Sequence, residues 1–78
     1  KTAEERLAWF LLQMSERTAS GNLVNLPMPR QDIADHLGLT IETVSRTLKQ
    51  LARSGWIKQV SSRRIQLVKL DALTRLVS

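Results

Sequence analysis

RQDIADHLGLTIETVSRTLKQL, from Arg30 to Leu51, reads as two short helices joined by a tight turn, the pattern of a helix-turn-helix. Ile33, Ala34 and Leu37 recur at helical spacing, and Gly38 follows as a stop residue because glycine tolerates positive φ. Thr40 begins the second helix as its N-cap, its hydroxyl accepting from an unpaired amide in the first turn. At about 100° per residue, Val44, Leu48 and Leu51 gather on one side of that helix, whereas Glu42, Ser45, Arg46 and Lys49 gather on the other. The first face docks and the second is displayed.

Outward from this core, the chain opens on Thr2-Ala3-Glu4-Glu5, whose Thr2 and Glu5 have capping-box spacing, so a helix is predicted from there to about Thr18. Leu7, Phe10, Leu11 and Met14 form its core stripe. Trp9 and Leu12 fall on its far side, which leaves two readings: a surface covered by more chain or a partner subunit, or scattered surface apolars. Ala19 to Asn22 is a turn signal, and Val24, Leu26 and Met28 alternate like a short strand, at a sheet edge because Pro27 has no amide proton. Pro29 sits where the next helix begins. After the helix-turn-helix, Ser54-Gly55 ends the second helix, and Trp56 to Val60 and Arg64 to Val68 form a hairpin with a basic tip at Ser61-Ser62-Arg63. Asp71 is expected to cap a last short helix through Leu76. The fold class is thus α+β, mainly helical: a winged helix-turn-helix occupying residues 1–78 as one domain.

The 78 residues carry 12 Lys and Arg against 7 Asp and Glu, a net charge of +5 that favours an anionic partner without choosing among nucleic acids and acidic proteins. The lack of cysteine excludes disulfides, thiol nucleophiles and thiolate metal sites. No apolar run approaches a membrane span, and the expected setting is cytoplasmic, away from membranes. His36 is the one histidine. Without a second ligand or a nucleophile it reads as a partly exposed structural residue, so no enzyme is expected. Trp56, Phe10, Met14 and Met28 sit at core positions rather than forming a stacking platform for bases.

Gly38-Leu39-Thr40-Ile41-Glu42-Thr43-Val44-Ser45-Arg46, preceded by Arg30-Gln31-Asp32-Ile33-Ala34 and followed by Leu51 and Ser54-Gly55-Trp56-Ile57, resembles the DNA-binding domain of the Crp/Fnr family of bacterial transcription regulators. The pattern of Glu42, Ser45 and Arg46 is similar to the Fnr/FixK branch. The cyclic-AMP receptor branch has arginine in place of Ile41 and glycine in place of Ser45. The opening Lys1 to Arg6 is also similar to the Fnr/FixK branch, and Pro29 departs from a threonine common among relatives.

The resemblance implies sequence-specific binding to double-stranded DNA for regulation of transcription. A recognition helix at about 41–53 would enter the major groove and read a TTGAT-like half-site of a palindromic operator. It further implies a C-terminal piece of a longer protein lacking its sensor domain and dimerisation helix, a homodimer in the full-length protein and RNA polymerase as a partner. No cofactor is expected in this domain, and the signal sensed elsewhere is not identified by these residues.

Base reading falls to Glu42, Ser45 and Arg46, since arginine donates two parallel bonds to guanine and glutamate accepts from the cytosine amino group. Taken alone, Glu42 and Arg46 would also suit an i,i+4 surface pair; the surrounding motif favours base reading. Arg30, Gln31, Thr40 and Thr43 lie at the mouths of the two helices, where hydroxyls, amides and cations meet phosphate, although capping and solvated surface would look alike there. Lys49, Arg53, Lys58, Arg63 and Arg64 are candidates for phosphate attraction or a solvated basic face. The alternative function is a winged-helix module for protein–protein contact without specific DNA binding.

Overall fold

The computed structural model describes residues 1–16 and 22–78. Helix α1 spans Ala3–Glu16, strand β1 Leu23–Asn25, α2 Arg30–Leu37, α3 Ile41–Arg53, β2 Ile57–Gln59, β3 Arg64–Leu67 and α4 Leu70–Val77. The helical continuation to Thr18 and the turn over Ala19 to Gly21 lie outside the described residues. The winged helix-turn-helix is present, mainly helical with an antiparallel sheet in the order β1-β3-β2.

The capping box at Thr2 and Glu5 and the glycine stops at Gly38 and Gly55 act where the sequence puts them. The Thr2 amide donates to Glu5 Oε1 at 3.0 Å and the Glu5 amide donates to Thr2 Oγ1 at 3.1 Å, a reciprocal capping box. The bond from the Thr2 backbone holds the Glu5 carboxyl below its ordinary value. Its stabilising effect is therefore complete above that ordinary value and is lost as the pH falls through the lowered one. Gly38, at φ 69°, closes α2: its amide reaches the Asp35 carbonyl at 3.4 Å and the Leu39 amide reaches the Ala34 carbonyl at 2.8 Å, a Schellman arrangement. Gly55, at φ 80°, closes α3 the same way, with Trp56 donating to the Leu51 carbonyl at 3.0 Å.

Thr40 caps α3 by accepting from the Thr43 amide at 3.1 Å. Thr40→Ala is expected to lower stability by about 1 kcal/mol, read as a shift of the urea midpoint. An unchanged midpoint would mean that water replaces this cap at no cost.

The core gathers Leu7, Phe10 and Leu11 of α1, Val24 of β1, Ile33 of α2, Val44, Leu48 and Leu51 of α3, Ile57, Ile65 and Leu67 of the hairpin, and Leu73 of α4. Val24 lies opposite Ile65 and Ile57 opposite Leu67, so the inward face of the sheet is continuous across three strands. Edge placement of β1 is as expected, but the strand ends at Asn25, before Pro27. Its position follows from pairing with β3 alone, rather than from the missing proline amide. The hairpin strands are shorter than the β-forming runs, because Trp56, Val60 and Val68 fall outside the ladder.

Two expectations are corrected. Asp71 does not cap α4: Lys69 holds that position, its carbonyl accepting from Leu73 at 3.2 Å, and Asp71 lies within the first turn, where its charge favours the positive end of the helix dipole. Leu12 is not on an uncovered side. Helix α4 packs along α1, and Leu12 is half-buried against the core, which leaves Trp9 as the exposed apolar residue of that helix at 45%. His36 is more exposed than expected, with its ring 6.0 Å from that of Phe10.

Candidate nucleic-acid interface

Helix α3 presents its functional face because its other face is committed. Val44, Thr47, Leu48 and Leu51 are buried, and the helical period then turns Ile41, Glu42, Ser45, Arg46 and Lys49 away from the core. These five residues line one shallow surface concavity. Thr47 is the buried polar residue of the stripe, at 4% exposure, and has no counterpart in the apolar pattern of the sequence.

Among the described residues, no side-chain hydrogen bond or ion pair ties Glu42, Arg46 or Lys49 to a neighbour. The i,i+4 pair that Glu42 and Arg46 are spaced to form is not made. Both side chains are exposed with their donors and acceptors open. A carboxylate and a guanidinium kept apart on one ridge supply the two complementary functions that a G·C pair displays in the major groove. Ile41, 37% exposed, lies in the same concavity and adds an apolar contact, a role not assigned to it from sequence.

The helix mouths are more tightly bound internally than the sequence suggested. Thr40 donates its hydroxyl to Thr43 Oγ1 at 2.9 Å as well as capping, and Gln31 Nε2 donates to Asp35 Oδ1 at 3.1 Å. Arg30 is half-buried and its Nη2 donates to Gln59 Oε1 of β2 at 2.8 Å. On the wing, Arg63 is exposed in the loop between β2 and β3. Arg64 lies on β3 itself, its Nε donating to Asn25 Oδ1 at 3.1 Å. Lys58 and Arg53 are exposed on β2 and the last turn of α3. The structure thus brings the base-reading candidates together and spreads the phosphate candidates over α2, the turn, α3 and the wing.

One structural partner was not found from sequence. Arg6 Nη1 donates to the Leu37 carbonyl at 3.1 Å, tying α1 to the end of α2 just before the turn. Its only sequence signal is a cation on α1, and the acceptor lies far along the chain.

Among the described residues, no group of three or more His, Cys, Asp or Glu is placed to hold a metal, and no helix is long and apolar enough to cross a membrane. Residues 5–76 match the Crp-like helix-turn-helix domain. The chain is 53% identical to the nitrogen fixation regulation protein FixK of Azorhizobium caulinodans, over all of this chain and 34% of that protein. It is 42% identical to the fumarate and nitrate reduction regulatory protein of Escherichia coli, over 97% of this chain and 32% of that one.

The solved structure of FixK2 from Bradyrhizobium japonicum superposes with a TM-score of 0.93 at 47% identity, covering 100% of this chain and 39% of that one. The chain spans about a third of the length of the two curated relatives. These similar proteins are regulators of transcription, not enzymes. With matched sequence, superposed fold and an open recognition face in agreement, this chain belongs to the Crp/Fnr family of transcription regulators, as a FixK-like DNA-binding domain.

Proposed function

We propose that α3 lies in the major groove and reads a TTGAT-like half-site, with Glu42 and Arg46 on the G·C pair and Ser45 beside the outer thymine. The observation that carries this reading is the unpaired state of Glu42 and Arg46 on one exposed ridge of a basic domain. A glutamate turned toward phosphates is repelled by them, and contact with the cytosine amino group offsets that repulsion. Ile41 donates no hydrogen bond and suits a thymine methyl. Arg30, Gln31, Thr40, Thr43, Lys49, Arg63 and Arg64 are assigned to the phosphate backbone.

Selection of bound duplexes from a random-sequence pool is expected to enrich a TTGAT-like motif. Enrichment of an unrelated motif, or of none, would overturn the half-site.

Phosphate contacts release counterions, so log affinity falls linearly with log salt by about 0.9 per phosphate neutralised. Arg63→Ala is expected to flatten that slope by about one such unit and leave sequence preference unchanged. Arg64→Ala is expected to flatten it less, because the Arg64 side chain is already engaged by Asn25. Equal slopes for wild type and Arg63→Ala would remove the wing tip from the interface.

The full-length regulator is proposed to act in the bacterial cytoplasm as a homodimer, reading a palindrome with halves about 34–36 Å apart and contacting RNA polymerase. Residues 1–78 alone are expected to be mainly monomeric by sedimentation and to hold one half-site weakly. A tight dimer of this domain would instead point to self-pairing through the Trp9 surface.

A further inference from the structure

Arg30 is the first residue of α2, and Gln59 is the last residue of β2, directly before the loop that carries Arg63. The 2.8 Å bond from Arg30 Nη2 to Gln59 Oε1 joins them across the domain. Among the described residues, it is the side-chain hydrogen bond that links the helix-turn-helix to the wing hairpin. Arg30 Nε is buried without a partner, so the guanidinium is drawn into the junction at the cost of one unsatisfied donor. Gln59 is half-buried and lies opposite Ile65, which is fully buried in the central strand. The acceptor is therefore mounted on the paired end of β2 rather than in the wing loop.

We propose that Gln59 is a positioning residue for DNA binding: its side-chain carbonyl holds the Arg30 guanidinium where α2 meets the wing, so that one ordered cation meets a backbone phosphate. This rests on the phosphate role assigned to Arg30 above. A long side chain that is already ordered loses less rotamer freedom on binding. The acceptor is also neutral. A carboxylate at Gln59 would hold the guanidinium equally well but would cancel the charge that phosphate requires, whereas an amide leaves the full positive charge available. The bond further sets the spacing between the mouth of α2 and the wing tip, two places where the domain grips the duplex backbone.

The test is a double-mutant cycle on DNA affinity, with Gln59→Met, which keeps length and removes the acceptor, Arg30→Ala, and the two combined. Each is measured over a salt series on matched and mismatched duplexes, together with its urea midpoint. Gln59→Met is expected to weaken binding about three- to tenfold on every duplex, with the salt slope unchanged. Arg30→Ala is expected to reduce the slope by about 0.9, and the double variant to bind no more weakly than Arg30→Ala alone. Gln59→Glu is expected to fold, retain the contact and lose about the same slope as Arg30→Ala.

Additive losses in the cycle, or a coupling no larger than that in the urea midpoints, would overturn the positioning role while leaving Arg30 as a phosphate contact. An unchanged slope for Arg30→Ala would remove that contact, and the inference with it.

Discussion

Leu48→Ala is expected to lower the stability of the domain by about 2–5 kcal/mol, the range for emptying a fully enclosed leucine site. Leu48 is 1% exposed in the middle of α3, within the same cluster as Leu7, Leu51 and Ile65. Total stability for a domain of this size is about 4–12 kcal/mol, so this substitution leaves a protein close to unfolding. The measurement is urea denaturation followed by circular dichroism, with and without duplex DNA. DNA should recover part of the lost stability, because it binds the folded state alone. A loss under about 1 kcal/mol would mean that the core closes over the gap and that α3 is held chiefly by its caps and its neighbours.

Arg46→Ala is expected to cost about 1–3 kcal/mol in DNA binding and to relax preference at the G·C pair alone. The reason is geometric. Arg46 is exposed on the ridge and has no internal partner, so its removal leaves the fold intact and deletes donors that only a base edge or a phosphate could have used. Competition between duplexes differing at one base pair, at fixed salt, separates those two. Uniform weakening across all duplexes would identify a phosphate contact and end the base-reading assignment. Ile41→Arg combined with Ser45→Gly is expected to move preference from TTGAT toward a GTGA-type site, since the new guanidinium supplies the bidentate donor that isoleucine lacks.

The parts of the fold legible in the sequence are those fixed by residues near one another along the chain. Thr2 with Glu5, Gly38, Thr40 and Gly55 each satisfy or end a helix within a few residues, and each acts where it was expected. The two faces of α3 were legible for the same reason, since a single helical period separates Val44, Leu48 and Leu51 from Glu42, Ser45 and Arg46. What the sequence withheld depends on distant partners. Nothing local tells that β1 pairs with β3 rather than β2, that Arg6 meets Leu37, or that Arg30 meets Gln59. Asp71 was misplaced by one kind of ambiguity: an acid in a first turn and an acid at a cap look alike until the backbone shows which residue is already helical.

The open state of Glu42 and Arg46 was likewise invisible, because the same spacing that permits an i,i+4 pair also permits two independent groups. The family resemblance favoured the second possibility. The structure then showed the two side chains without internal partners.

The strand order carries a consequence for how the domain is made. The central strand, β3, is the last strand in the sequence, and the edge strand β1 finds no partner until β3 arrives, with Val24 waiting for Ile65. Helix α1 likewise packs against α4, the final helix. On a ribosome adding about 5–20 residues per second, the helix-turn-helix emerges about one to five seconds before the elements that complete its core. During that interval Val24 lacks its cross-strand partner Ile65, and α1 has α3 and β1 but not α4 to pack against. Completion of the core therefore waits on β3 and α4, and truncation within α4 is expected to leave an incompletely packed domain.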